Sequence, residues 1–347
     1  MKTSLALVAL ALLLPGAATF ADDTARSKPR WLKRSASTSV MGTSLEVAVI
    51  GTDVAILDEA ILAAIAELRR VEKVFTTWDP NSVVSQLNRR AGQRAMAMSQ
   101  EVIALIAAAE EISKLTGGAF DITWGSVGKL WDFKSKKAPT PTAQSIRQAL
   151  LGVGYTKIVA DSKAGTIELP PGTTIGFGGI AKGYGVDRAI EVLRKRGIKN
   201  AIVNAGGDLR AIGRDLDRPF NVTLKHPRAK DEYLAILPVA NVSVVTSGDY
   251  ERFVMIDGKR YSHILDPRTG WPVDHTQAVT LLASTACRAD ALATGVFILG
   301  PEKGMALVEE LADVEALIVD GRGKLTLSSG LAAGAKEKKI LHLRKRP

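Results

Sequence analysis

Apolar residues in this chain recur at two spacings, every second residue and about every 3.6, and each switch between the two marks a new element. Met41–Ile50 alternates apolar and polar positions, which predicts a half-buried strand. Val54–Val74 follows as an amphipathic helix, with Ile56, Ile61, Ile65, Leu68 and Val71 on one side, and Pro80 lies just beyond its end. Ser99–Leu115 repeats the pattern, with Ser99 as its cap and Gly117-Gly118 as its stop. Gly118–Gly125 reads as a turn entering a loop, and residues 133–142 as a polar surface loop. Ser145–Leu151 is a short helix, and Lys157–Ala160 with Ile167–Leu169 a pair of short strands. A glycine-rich stretch then opens a helix over Val186–Arg196, and Ala201–Asn204 is a buried strand. Further strands fall at Phe220–Leu224, Tyr233–Pro238, Val242–Thr246 and Phe253–Ile256. The last part holds a strand at Val279–Ala283, helices at Ala289–Leu299 and Glu302–Leu311, and closing strands at Val314–Val319 and Lys324–Leu327. With no internal repeat and no low-complexity linker, this alternation indicates an α/β (α+β) protein. It forms either one unit with an elaborated sheet or two closely packed lobes.

The first residues change the picture of where the protein works. Lys2, an apolar run from Leu5 to Leu14, Pro15-Gly16 and small residues ending at Ala21 have the layout of a secretory signal peptide, and the run is too short to span a bilayer. Residues 1–21 are therefore expected to be removed and the protein exported to the periplasm. No Cys lies near that site, so no lipid anchor is evident. Residues 22–38 read as a polar linker, and residues 331–347 as a basic tail. At 347 residues with 46% hydrophobic and 24% charged residues, the chain can bury a substantial core. The single cysteine, Cys287, has no partner for an internal disulfide. Much of the net +10 charge sits near the two ends, and no aromatic-interleaved basic stripe points to nucleic acid.

Four stretches carry candidate chemistry. Gly176–Asp187 places five glycines and Lys182 before a helix, where exposed amides and a cation suit a phosphate. Its spacing is neither a Walker loop nor a dinucleotide fingerprint, and a tight turn with close helix packing explains it equally well. Asp290 and Thr294 are four apart in a predicted helix and so share a face, an oxygen pair suited to Mg²⁺. A buried helix with an Asp near its start is the plain alternative. His263, one of four histidines, precedes the turn Asp266-Pro267-Arg268-Thr269-Gly270 and is a candidate general base near neutral pH. Asn204-Ala205-Gly206-Gly207-Asp208, with Arg210, reads as a structural bulge after a buried strand.

Eight motifs occur together and in order: Met41-Gly42-Thr43, Trp78-Asp79-Pro80, Gly118–Asp121, Gly178–Tyr184, Asn204–Asp208, Thr246–Phe253, His263–Gly270 and Ala289–Thr294. In this the chain resembles the FAD:protein FMN transferase (ApbE) family from about Met41 to Leu299. The resemblance implies a T-fold-type core of mixed sheets flanked by helices, over residues 39–330. It also implies a Mg²⁺-dependent enzyme that cleaves FAD, its substrate. The FMN moiety would be placed on a Thr hydroxyl of an exported or membrane redox protein, with release of AMP. By the same resemblance Met41, Trp78, Ala119, Phe120, Asp121, Gly176, Lys182 and Ile264 match FAD-contacting positions. Gly179, through its carbonyl, Asp290 and Thr294 match metal ligands, and His263 matches the general base.

One departure stands out. Family members commonly carry an Asp two residues before the Gly178-Gly179 pair, whereas this chain has Gly176. Two other readings use the same site: hydrolysis of FAD to FMN and AMP, or non-catalytic flavin binding outside the cytoplasm. Retention of His263 beside Asp290 and Thr294 speaks against a mere binder, which needs no base.

Overall fold

Strand Thr43–Gly51 (β2) turns Leu45, Val47 and Val49 toward a layer of helices, and Ser44 and Glu46 the other way. It is one half of a hairpin. Leu32–Val40 (β1) pairs with it along its whole length, from Leu32↔Gly51 to Val40↔Thr43. The two-residue connection, Met41-Gly42, has positive φ at both positions (51° and 70°), the primed turn whose twist suits a hairpin. Met41 is held there by donating its amide to Glu72 Oε1 at 2.7 Å. The polar linker expected over 22–38 is thus a strand from Leu32 onward. Leu32, Ala36, Thr38 and Val40 are all at least half-buried, and their polar neighbours disguise the alternation.

In this computed structural model the described residues are 30–133, 139–229, 231–336 and 342–343. The expected leader over residues 1–21 lies outside them. Six further strands extend the hairpin: Asn200–Ala205 (β3), Asp208–Ile212 (β4), Val242–Gly248 (β5), Thr276–Ala283 (β6), Glu315–Asp320 (β7) and Leu325–Leu327 (β8). They lie in chain order, and every neighbouring pair is antiparallel. The α/β class holds, and the sheets expected to be mixed are antiparallel throughout the described residues.

Helices cover one face. Val54–Phe75 (α1) is capped by Asp53, whose side chain accepts from Ala55 and Ile56, and it buries Leu57, Ile61, Ile65 and Leu68. Ile56, expected on the apolar side, is exposed, because Leu57 completes the inward stripe instead. Gln100–Leu115 (α2) begins at the Ser99 cap, as expected. Ala181–Lys195 (α3) packs on α1, β3 and Ala286–Glu310 (α4). The last of these breaks at Gly300 (φ 84°) before Pro301, so the two expected helices meet at a kink.

The other face of the sheet is only partly covered, by the antiparallel pair Phe220–Lys225 and Tyr233–Val239. Phe220, Val222, Leu224 and Leu237 pack there against Ile50, Leu209 and Val244. The basic tail expected over 331–347 is partly built into this layer. Ser329–Lys336 is a helix that buries Leu331, and His342–Leu343 adds a third strand beside Tyr233–Val239. Leu331 and Ala335, apolar residues inside the basic stretch, join the cluster of this layer. From Trp31 onward the chain forms one compact unit.

Helices α3 and α4 cross in backbone contact. A Cβ on Gly183 would lie 2.2 Å from the Ala286 carbonyl oxygen and 2.8 Å from Asp290 Cβ, so only glycine fits. Gly183→Ala should therefore destabilise the protein by on the order of 2–3 kcal/mol, as overpacking does, and disturb Asp290 at the same time. A urea midpoint equal to that of the wild type would show that the helices yield easily.

Candidate active site

The glycine-rich stretch reaches this crossing along the Ile122–Trp124 turn. Gly176 donates its amide to the Ile122 carbonyl (2.8 Å), and its own carbonyl accepts from Trp124 Nε1 (3.1 Å). Helix α3 starts at Ala181, five residues earlier than the sequence pattern indicates, so Lys182, Gly183 and Gly185 lie within it. The glycines allow close approach. A Cβ on Gly179 would sit 3.0 Å from Thr294 Oγ1 and 3.3 Å from Phe120, and one on Gly185 would sit 2.9 Å from Leu68 and 3.2 Å from Met41 Cε. At Gly176, where the resemblance led to an Asp being expected, a Cβ would lie 3.3 Å from Trp124 Nε1.

Two buried carboxylates meet beneath this loop. Asp290, on α4, accepts the Gly183 amide at 3.0 Å. Asp208, at the start of β4, is 1% exposed and pairs with the Lys182 ammonium, while its Oδ1 has no hydrogen-bond partner. Burial first, and the neighbouring Asp290 carboxylate second, push Asp208 well above the ordinary carboxylate range. Burial works against the Lys182 charge, but Asp208 and Asp290 together hold it raised. Thr294 lies one turn beyond Asp290 and abuts Gly179. The expected metal ligands Gly179, Asp290 and Thr294 therefore converge, joined by Asp208.

His263 approaches from the Lys259–Ser262 strand. Its backbone amide donates to the Arg252 carbonyl (3.0 Å), and ring Nδ1 lies 3.1 Å from the same oxygen. A carbonyl only accepts, so Nδ1 carries the hydrogen and Nε2 keeps its lone pair. Burial pushes the ring pKa down to about 4, only partly offset by the bond to Arg252. The sequence suggested titration near neutrality, and desolvation moves it well below. Lys182 and Asp249 also act on the ring electrostatically.

With this geometry in place, the comparisons with known proteins are decisive. The family model described as the ApbE family matches residues 41–318. The chain belongs to the ApbE family. Similar proteins include a FAD:protein FMN transferase of Klebsiella pneumoniae, 34% identical over 276 residues that cover 78% of this chain and 86% of that one. One of Haemophilus influenzae is 32% identical, covering 80% of this chain and 83% of its own. Among solved structures, the ApbE protein of Thermotoga maritima has a TM-score of 0.82 at 32% identity, covering 87% of this chain and 99% of that one. Flavin transferase ApbE from Vibrio cholerae has a TM-score of 0.76 at 27% identity, covering 88% and 99%.

The ApbE-type positions proposed for nucleotide contact differ in what their side chains are free to do. Met41 lies at the hairpin turn beside Gly185, Phe120 beside Gly179, and Ile264 is buried. Trp78 exposes 74% of its surface and presents its indole outward. Ala119 is wholly buried. Asp121 spends both oxygens on the chain itself: Thr123 amide (2.7 Å), Thr123 Oγ1 (2.6 Å) and Tyr155 amide (2.8 Å). Burial raises its pKa against these bonds. Its side chain thus shapes the loop.

Three contributors escaped the sequence reading. Asp208, read as structural, is a partner of Lys182; the signal was an acid directly after Gly206-Gly207 at a strand start. Asp187 accepts from the Ala286 (3.0 Å) and Cys287 (2.8 Å) amides at the start of α4, and pairs with Arg210 at 2.6 Å. Arg252 orients His263 through its carbonyl, for which no side-chain signal exists.

Because burial lowers the folded-state pKa of His263, its neutral form stabilises the fold above the unfolded value near 6.5, and that stability is lost as pH falls toward the folded value. In an NMR titration the ring should stay neutral from about pH 8 to about pH 5 and protonate only near pH 4. Protonation between about pH 6 and 7 would show that the ring is not desolvated.

Proposed function

We propose that this chain is a Mg²⁺-dependent flavin transferase that cleaves FAD and carries the FMN moiety to a Thr hydroxyl of a redox protein, releasing AMP. The observation that carries the reading is the fixed His263 tautomer, with Nε2 unprotonated, within electrostatic reach of Lys182, the cation paired with Asp208. Membership of the ApbE family, with relatives named for this reaction, supports it.

The residues supply what a displacement at phosphorus needs, which is positioning and charge balance more than covalent machinery. The acceptor oxygen bonds to the FMN-side phosphorus as the pyrophosphate bond to AMP breaks, and the hydroxyl proton passes to His263 Nε2. The Arg252 carbonyl keeps the ring turned for that transfer and stabilises the imidazolium formed. Trp78 offers flat apolar surface to a ring of the nucleotide, whereas Phe120, expected to do the same, is buried in the core. Among the described residues no cluster of three or more His, Cys, Asp or Glu side chains forms a metal site. The oxygen set is nonetheless hard and fits Mg²⁺: the Gly179 carbonyl, the Asp290 carboxylate and the Thr294 hydroxyl, with the unpartnered Asp208 Oδ1 alongside. Bound there, Mg²⁺ would neutralise pyrophosphate charge. The leader-like residues 1–21 support export, so that the acceptor is met in the periplasm.

The direct test is to incubate the purified protein with FAD, Mg²⁺ and a flavin-accepting redox domain. Covalent flavin fluorescence with one AMP per label is expected; AMP without label would make the protein a pyrophosphatase, and neither product would overturn the reading.

Two variants separate the roles. Asp290→Asn keeps an oxygen for the Gly183 amide, so its melting temperature should stay close to that of the wild type while its Mg²⁺-dependent activity is lost. Full activity at ordinary Mg²⁺ would remove Asp290 from the metal site. His263→Ala should slow single-turnover transfer by roughly 10²–10⁴-fold with FAD affinity nearly unchanged, the usual effect of losing a positioned base. In the wild type the rate should be level through neutrality and fall only as pH approaches about 4. A His263→Ala variant that lost FAD affinity and stability together, with the bound complex reacting normally, would make His263 scaffold.

A further inference from the structure

On the sheet face away from the helices lies a cleft of about 730 Å³. One wall is the polar half of the main sheet, with Ser44, Glu46, Asn204 and Thr246. The opposite wall is the Phe220–Lys225 strand, whose residues line the cleft in unbroken succession. That strand pairs only with Tyr233–Val239, so among the described residues its other edge has no ladder partner. Asn221 faces Pro238 in this ladder. Proline has no N–H, so this pair does not exchange reciprocal hydrogen bonds, and the backbone groups of Asn221, and of Thr223 two residues on, point away from the partner strand. The side chains of Asn221 and Thr223 are exposed, while Phe220, Val222 and Leu224 anchor the strand in the core.

The cleft adjoins the reaction centre along the chain. Its lining includes Gly207 and Leu209, on either side of Asp208, and Glu251, whose charge acts on Lys182. Lys182, Asp208, His263 and Asp290 do not themselves line it. The residue after Glu251, Arg252, holds His263. None of Met41, Trp78, Ala119, Phe120, Asp121 or Ile264 lines it, so the residues matched to FAD leave it open.

We propose that the cleft is the acceptor site, and that the acceptor enters as an extended segment that adds a strand to the free edge of Phe220–Lys225. This rests on the transfer reading above. Main-chain bonds to the outward groups of Asn221 and Thr223 would hold the segment with little regard to its sequence, and alternate side chains would meet the polar wall. A six-residue edge spans about 20 Å at ~3.3 Å per residue, enough to fix the register of the hydroxyl-bearing residue.

The probe is a library of ten-residue peptides with one fixed central Thr, incubated with the whole protein, FAD and Mg²⁺, and read by covalent flavin fluorescence. Labelled peptides are then resynthesised with a single backbone N-methyl group at each position in turn. Strand addition predicts loss at every second position, by 10-fold or more in KM for the peptide, and tolerance at those between. Uniform tolerance overturns the proposal. On the enzyme side, Thr223→Pro should raise the peptide KM by a similar factor, with FAD affinity as the check that the variant is folded; an unchanged KM overturns the proposal. If a flavin-accepting redox domain is labelled while no peptide is, the acceptor is read as a folded surface: transfer stands and the added strand falls. If neither gains covalent flavin, the transfer reading itself fails.

Discussion

The site depends on how closely α3 and α4 cross. At Gly183 the two helices approach so nearly that a backbone amide of one reaches a carboxylate of the other, Asp290, at 3.0 Å. One turn further along α3, Asp187 accepts the first amides of α4, which have no acceptor within their own helix. Negative charge is favoured at that end of a helix, and Arg210 balances it. These contacts set the rotation of α4, and with it the direction in which Asp290 and Thr294 point. Each such buried hydrogen bond contributes only about 1 kcal/mol net, but leaving one partner unpaired costs about 1–3 kcal/mol, so the arrangement is enforced more than it is rewarded.

That rigidity keeps an unfavourable charge cluster in place. Asp208 and Asp290 lie close together with the single cation Lys182 against them, and Asp208 Oδ1 has no partner. Desolvated like charges of this kind work against the fold unless further positive charge arrives. The raised pKa of Asp208 is the fold's own relief of that repulsion, since a proton can supply the missing positive charge. His263 stands on the opposite principle: burial keeps it neutral, and one carbonyl decides which nitrogen holds the hydrogen.

The main sheet divides the labour between its faces. Its inner face is filled by the helices that carry Lys182, Asp290 and Thr294. Its outer face is only partly covered by the smaller sheet, and the uncovered part is polar. Gly206-Gly207 and Tyr250-Glu251 line the outer-face cleft, and the residues that follow them in the chain, Asp208 and Arg252, contact Lys182 and His263 respectively.

The sequence by itself determined most of the elements, because period and capping are local. Ser99 and Gly117-Gly118 bound α2, the Gly300-Pro301 step separates two helices, and Asp290 and Thr294 share a helix face through their spacing alone. It did not reveal β1, whose small polar residues become a strand only because β2 pairs with them. Nor did it place the start of α3 at Ala181, since glycines read as loop until close packing on α1 and α4 makes them necessary. The candidate base and metal ligands were legible as residue types in motifs. Their electrostatics were not: the pairing of Asp208 with Lys182, the Tyr155 amide on Asp121 and the lowered pKa of His263 come from groups distant in sequence. Burial and charge proximity are properties of the packed chain, and only the tertiary structure decides them.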